Sequence, residues 1–112
     1  LIIRKQDHVL IGNMGFKGGP DETGRANVGY TILPAFRNQG YATEMLRALI
    51  TWAFTDTTNT ITTITAECYS DNYASIRVLE KVGLHCQRHI KDLLYWNINK
   101  TDQANSLTEG SL

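Results

Sequence analysis

Gly29-Tyr30-Thr31-Ile32-Leu33-Pro34-Ala35-Phe36-Arg37-Asn38-Gln39-Gly40-Tyr41-Ala42-Thr43-Glu44-Met45 changes backbone habit twice within a short span. Its opening, with Val28 before it, is β-branched, aromatic and apolar up to Leu33, which predicts a strand. Pro34 has no N–H to give a ladder and stops that strand. Arg37 to Gly40 is polar and predicts a loop, and from Tyr41 onward apolar residues return with helical spacing. A strand that enters a helix through a short turn, with glycine at its tightest point, leaves several backbone N–H groups unpaired and pointing one way. With the helix dipole behind them, those groups form an anion site. Arg37-x-x-Gly40-x-Ala42, with the Thr43 hydroxyl beside it, suits a diphosphate better than a single carboxylate.

The Rossmann pattern G-x-G-x-x-G and the P-loop pattern G-x-x-x-x-G-K-S/T are both absent here. The turn instead resembles Q/R-x-x-G-x-G/A, the acetyl-CoA signature of the GNAT N-acetyltransferase superfamily. The flanks agree, with Gly29-Tyr30 through Pro34 before it and Tyr41-Ala42-Thr43-Glu44 after it. Downstream, Asn72-Tyr73-Ala74-Ser75-Ile76-Arg77-Val78-Leu79-Glu80-Lys81-Val82-Gly83-Leu84 is similar to N-x-x-S-x-x-V-L-E-K-x-G-F/L/M. That segment belongs to the GNAT branch containing the ribosomal-protein N-terminal (alanine/serine) acetyltransferases. The two segments stand in the family's order, joined by one strand-like run.

At 112 residues the chain is long enough for one domain with a modest core. Eleven basic residues balance eleven acidic ones, which argues against a nucleic-acid protein that relies on a basic field. No apolar run approaches the length of a membrane span, and no basic-then-apolar leader is visible. Cys68 and Cys86 lack C-x-x-C spacing and a histidine at ligand distance, so both are expected to be buried small hydrophobes in a reducing, cytoplasmic setting. The chain opens at Leu1 rather than methionine, inside an apolar run, which suggests a fragment.

Along the chain, Leu1 to Arg4 and His8 to Phe16 predict a hairpin about Lys5-Gln6-Asp7, and Ala26 to Leu33 predicts a strand antiparallel to the second run. Gly18 to Gly24 is turn chemistry. From Tyr41 to about Phe54, residues Ala42, Met45, Leu46, Leu49, Ile50, Ala53 and Phe54 share a helix face, with Met45 and Trp52 expected as packing residues. Ile61 to Tyr69 alternates as a strand. Asp71 or Asn72 caps a helix striped by Ile76, Leu79 and Val82, and Gly83 ends it. Leu84 to Ile90 and Leu93 to Asn99 predict a closing hairpin. Residues 1–100 form the domain and 101–112 a polar tail. This order gives an α+β domain with a mixed, mainly antiparallel sheet and two helices. The GNAT fold looks like this, apart from an opening strand and helices that this chain lacks, so the resemblance implies an N-terminally truncated domain. The lacking part usually helps form the wall for the acceptor. An exposed sheet edge then offers a site for homodimer pairing.

The resemblance also implies roles. The reaction would be acetyl transfer from acetyl-CoA to a primary amine (a protein N-terminus or a small amine) by direct attack. The pantetheine would bond to the backbone near Ile32 and Leu33, where their strand splays from the one at Ile61 to Tyr69. The diphosphate would lie on the N–H groups of Asn38, Gln39, Gly40, Tyr41, Ala42 and Thr43, with Arg37 adding charge. Asn72 matches the family asparagine that bonds the pantetheine, its rival role being helix capping. Many members place a tyrosine acid where Leu79 stands, and in the similar branch the serine matching Ser75 has been proposed instead. Relatives often carry a glutamate base where Asn27 stands, and Glu67 is a substitute. His8, His85 and His89 are scattered, and no set of residues has metal-ligand spacing. The alternative is a non-catalytic acyl-CoA-binding remnant or regulatory module, which would keep the cofactor turn.

Overall fold

The computed structural model describes residues 2–56, 58 and 60–102, and the structural statements here concern those residues. Leu1, at the head of the first predicted strand, and the tail from residue 103 lie outside them. Residues 100–102 begin a helical turn, with the Asn99 amide donating to Asp102 (3.1 Å). The elements run β1 (Ile2–Ile3), β2 (Leu10–Phe16), β3 (Arg25–Ile32), a 3-10 turn (Pro34–Phe36), α1 (Tyr41–Thr55), β4 (Thr63–Tyr69), α2 (Tyr73–Lys81), β5 (His85–Ile90) and β6 (Leu93–Asn99). They build a six-stranded sheet in the order β1-β2-β3-β4-β6-β5. The mixed α+β architecture matches the sequence expectation. The 3-10 turn is an addition, formed because Pro34 both ends β3 and fits the first position of a helical turn.

Every neighbouring pair of strands is antiparallel except β3 and β4, between which α1 makes the crossover. That parallel ladder is short. Arg25, Ala26 and Asn27 face Thr63, Ile64 and Thr65, and the pairing goes no further. Two bonds show what the strands do beyond it. Leu33 donates to the Ile11 carbonyl (2.8 Å) and Lys17 to the Asn27 carbonyl (2.7 Å), so the odd-numbered residues of β3 bond to β2. Backbone groups alternate sides along a strand, so those of Tyr30 and Ile32 point toward β4, into the gap where pairing has ceased.

One face of the sheet is covered and the other is open among the described residues. Ala26, Val28, Ile64, Ala66, Cys68, Trp96 and Ile98 project onto the covered face and pack with Leu46, Ile50, Ala53 and Phe54 of α1 and Leu79 of α2. Cys68 is buried as expected, but Cys86 is exposed, because every residue of the edge strand β5 is solvent-facing. Trp52 also departs from the expectation. It sits slightly more than half a turn around α1 from Ile50 and is 50% exposed. At the far edge β1 pairs with β2 only at Leu10 and Gly12, which leaves residues 13–16 without an outer partner strand. Among the described residues, no helix is long and apolar enough to cross a membrane.

The orientation of α1 has a direct consequence for stability. Leu46→Ala should cost about 2–5 kcal/mol, since Leu46 is fully enclosed, while Trp52→Ala should cost less than about 1 kcal/mol. Urea denaturation of the two variants checks this. Equal losses would mean that α1 is rotated from the orientation described.

Candidate functional site

The turn before α1 is held from outside and left open within. Phe36 donates to the Leu33 carbonyl (2.9 Å) and Arg37 to that of Pro34 (3.4 Å), and the next backbone donor with a partner is Glu44, to Gly40 (3.0 Å). The amides of Asn38, Gln39, Gly40, Tyr41, Ala42 and Thr43 donate to nothing among the described residues. Asn38 (φ 61°) and Gly40 (φ 82°) are both left-handed, which coils the chain so that these donors gather at the helix N-terminus. A Cβ on Gly40 would meet no protein atom, so glycine is favoured there by the backbone angle and not by crowding.

Side chains fix the rim of this turn. Arg37 donates Nε to the Ile32 carbonyl (3.0 Å), bracing the loop against the end of β3 while the rest of its guanidinium stays exposed. Gln39 turns its amide back to the Ala35 carbonyl (3.0 Å). Just after β1, Arg4 stacks 5.2 Å over the Phe36 ring and donates to the Tyr41 hydroxyl (3.2 Å). Its own charge is held by Asp7 at 2.7 Å, and that hydrogen bond keeps the Asp7 carboxyl below the usual carboxylate range.

A cleft of about 660 Å³ runs from the turn along the end of β3 to α2. Ile32, Arg37, Asn38, Gly40, Tyr41, Ala42 and Thr43 line it from one side, and Asn72 and Ser75 of the second motif from the other. The two motifs thus meet. The Leu33 amide is bonded to Ile11 and its carbonyl accepts from Phe36, and the backbone groups facing the gap are those of Tyr30 and Ile32. The Ile32 carbonyl is itself bonded to Arg37, which leaves the Ile32 N–H. Asn72 caps α2, its Oδ1 accepting from the Ser75 amide (3.2 Å), and its side-chain Nδ2 has no bond among the described residues.

Tyr30 is the residue that sequence reasoning passed over. From the covered face of β3 its hydroxyl donates to Ser75 Oγ (3.3 Å), bridging the sheet and the first turn of α2. Burial pushes the Tyr30 phenol above its ordinary range, partly offset by that bond to Ser75. Its sequence signal was its parity with Val28 and Ile32, which places a hydroxyl on the face that α2 covers.

A second hollow of about 760 Å³ opens through the splay and is lined by Tyr30, Glu67, Tyr69, Asn72, Ser75 and Lys17, with Glu67 its sole acidic residue. Asn27 lines neither space. Its amide donates to Thr65 Oγ1 (3.0 Å) at the last rung of the parallel ladder. His8, His85 and His89 line neither space as well. Among the described residues, no three His, Cys, Asp or Glu are grouped to hold a metal ion.

A family model described as an acetyltransferase (GNAT) domain matches residues 1–85. The chain belongs to the GNAT acetyltransferase family. It is 33% identical over 96 residues to the N-acetyltransferase YjdG of Bacillus subtilis, itself uncharacterized, covering 86% of this chain and 56% of the relative. It is 30% identical to YoaA of the same organism over 86% of this chain and 53% of the relative. The chain spans about half the length of the curated relatives it matches. Among solved structures, a GNAT-family acetyltransferase from Bacillus anthracis superimposes with a TM-score of 0.80 at 25% identity, over 88% of this chain and 64% of that one. The spermidine N-acetyltransferase SpeG of Vibrio cholerae, in complex with CoA and spermine, gives a TM-score of 0.80 at 17% identity, over 92% and 65%. A ribosomal-protein-S5-alanine acetyltransferase from Vibrio fischeri gives 0.80 at 19% identity, over 90% and 60%. The last two establish a shared GNAT fold.

The phenol of Tyr30 gives this GNAT site a spectroscopic handle. A phenol whose folded-state pKa is raised binds its proton more tightly when folded, so its contribution to stability is present below the ordinary tyrosine range and lost as pH rises beyond it. Tyr30→Phe should therefore remove a phenolate absorbance step lying above that range. Loss of a step within the ordinary range would contradict the buried placement.

Proposed function

We propose that the protein is an acetyl-CoA-dependent N-acetyltransferase in which the turn at residues 37–43 holds the cofactor's diphosphate and the amine attacks the thioester directly. The observation that carries this is the run of unpartnered amides from residue 38 to 43 at the N-terminus of α1, opening into a gap between β3 and β4. An amide-rich pantetheine arm would take the place of the missing ladder, bonding the Tyr30 and Ile32 backbone on one side and the Asn72 side-chain Nδ2 on the other. A cleft of about 660 Å³ is of a size to receive such a ligand. Arg37, anchored through Nε, would present its remaining N–H groups to the phosphates.

Placement would supply most of the acceleration, since fixing an amine against a thioester removes several kcal/mol of barrier. The backbone N–H groups at the splay face the region where the carbonyl oxygen gains charge. Ser75 would give the departing thiolate its proton and recover one from Tyr30, whose hydroxyl already donates to it and would regain its proton from solvent through the cleft that both line. Glu67 would draw a cationic amine into the second hollow and accept its proton through water. A small polyamine, as in the SpeG complex, and a protein N-terminus both present such an amine.

Thiol release from acetyl-CoA, measured over a panel of amines and N-terminal peptides, tests the reading. At least one acceptor should support turnover, and Glu67→Gln should lower kcat by about a hundredfold near neutral pH, the loss shrinking at alkaline pH where the amine is already free. Tight binding of acetyl-CoA with no turnover on any acceptor would favour the binding-module alternative.

A further inference from the structure

The cleft is lopsided in charge. The chain as a whole carries equal numbers of acidic and basic residues, yet Arg37, Arg77 and Lys81 line the cleft and no aspartate or glutamate does. Arg77 and Lys81 stand one turn apart on α2, so their side chains share a face and lie within roughly 6 Å of each other at Cβ. Both are exposed, and neither takes part in an ion pair among the described residues. Their helix is fixed at this end, because Arg47 of α1 donates to the Lys81 carbonyl (3.2 Å). Like charges at this spacing repel each other modestly. Such a pair is best satisfied by an anion with more than one oxygen to share.

The amides of residues 38–43 already suit a diphosphate, and these two cations form a second concentration of positive charge in the cleft. It is separated from the splay by the length of α2 between Ser75 and Lys81, which is about 9 Å. Coenzyme A carries a second anionic centre of this kind, the 3′-phosphate on the same ribose that bears the diphosphate at its 5′ position. We propose that Arg77 and Lys81 bind the 3′-phosphate, so that the protein selects coenzyme A over its 3′-dephosphorylated form. Arg77 would grip with paired N–H groups and Lys81 as a point charge. This inference rests on the proposed function of the cleft and adds residues and a selectivity to it.

Calorimetric titration with coenzyme A and with 3′-dephospho-coenzyme A, at one ionic strength, tests it on the unaltered chain and on the double variant Arg77→Ala/Lys81→Ala. A far-ultraviolet melt of the variant checks that it is folded. The unaltered chain should bind coenzyme A about tenfold tighter or more, as two charge-assisted contacts imply. The double variant should bind the two ligands within about twofold of each other while keeping its affinity for the dephosphorylated form. Equal affinity of the unaltered chain for both ligands would overturn the inference alone, as would a variant that weakens both in proportion. Binding of neither ligand would overturn the reading of the cleft and this inference together.

Discussion

A helix N-terminus carries hydrogen-bond donors that the helix itself cannot satisfy, and here the preceding turn adds more in line with them. From Asn38 to Thr43 no amide has a partner among the described residues, and Asn38 and Gly40 are both left-handed. Exposed to water, such donors cost little. Aimed together, with about half a positive charge of helix dipole behind them, they favour a ligand with several anionic oxygens. Much of the surrounding structure keeps the turn in this state. Pro34 ends the strand, Arg37 braces the loop on Ile32, Arg4 clamps Phe36 and Tyr41, and the buried row on α1 sets the direction of the helix.

The second constraint is topological. Chain order makes β3 and β4 parallel, and parallel strands need a crossover, which α1 supplies. Their ladder stops at Asn27 and Thr65, so the strands part just where β3 delivers the chain to the cradle. The opening is therefore continuous with the turn. α2 leans over it, and the Tyr30–Ser75 contact ties the far wall to the near one. An extended ligand can thus hold its phosphates on the turn and its amides in the gap, which connects the fold to the proposed acetyl transfer.

Much of this was legible in the sequence because local signals and tertiary demands coincide. The alternation of Ile64, Ala66 and Cys68, the cap at Asn72 and the stop at Gly83 each specify one backbone state, and the structure keeps all of them. Where tertiary context decides, the sequence was less informative. Trp52 is apolar but faces solvent, since α1 has only one covered side and Leu46, Ile50 and Ala53 fill it. Cys86 lies on a strand that nothing covers. The Leu33 amide is bonded to β2, a matter of ladder phase that residue types do not encode. Tyr30 was hidden for the opposite reason: its partner, Ser75, is remote in sequence and meets it only once α2 has folded across the gap.

The amide NMR spectrum of the chain, recorded as coenzyme A is added, tests the central claim most directly. The account predicts that the resonances of Asn38, Gln39, Gly40, Tyr41, Ala42 and Thr43 move downfield together, as newly hydrogen-bonded amides do, while those of Leu33 and Phe36, already bonded within the protein, move least. Saturable binding that shifts amides elsewhere and leaves these unmoved would contradict it.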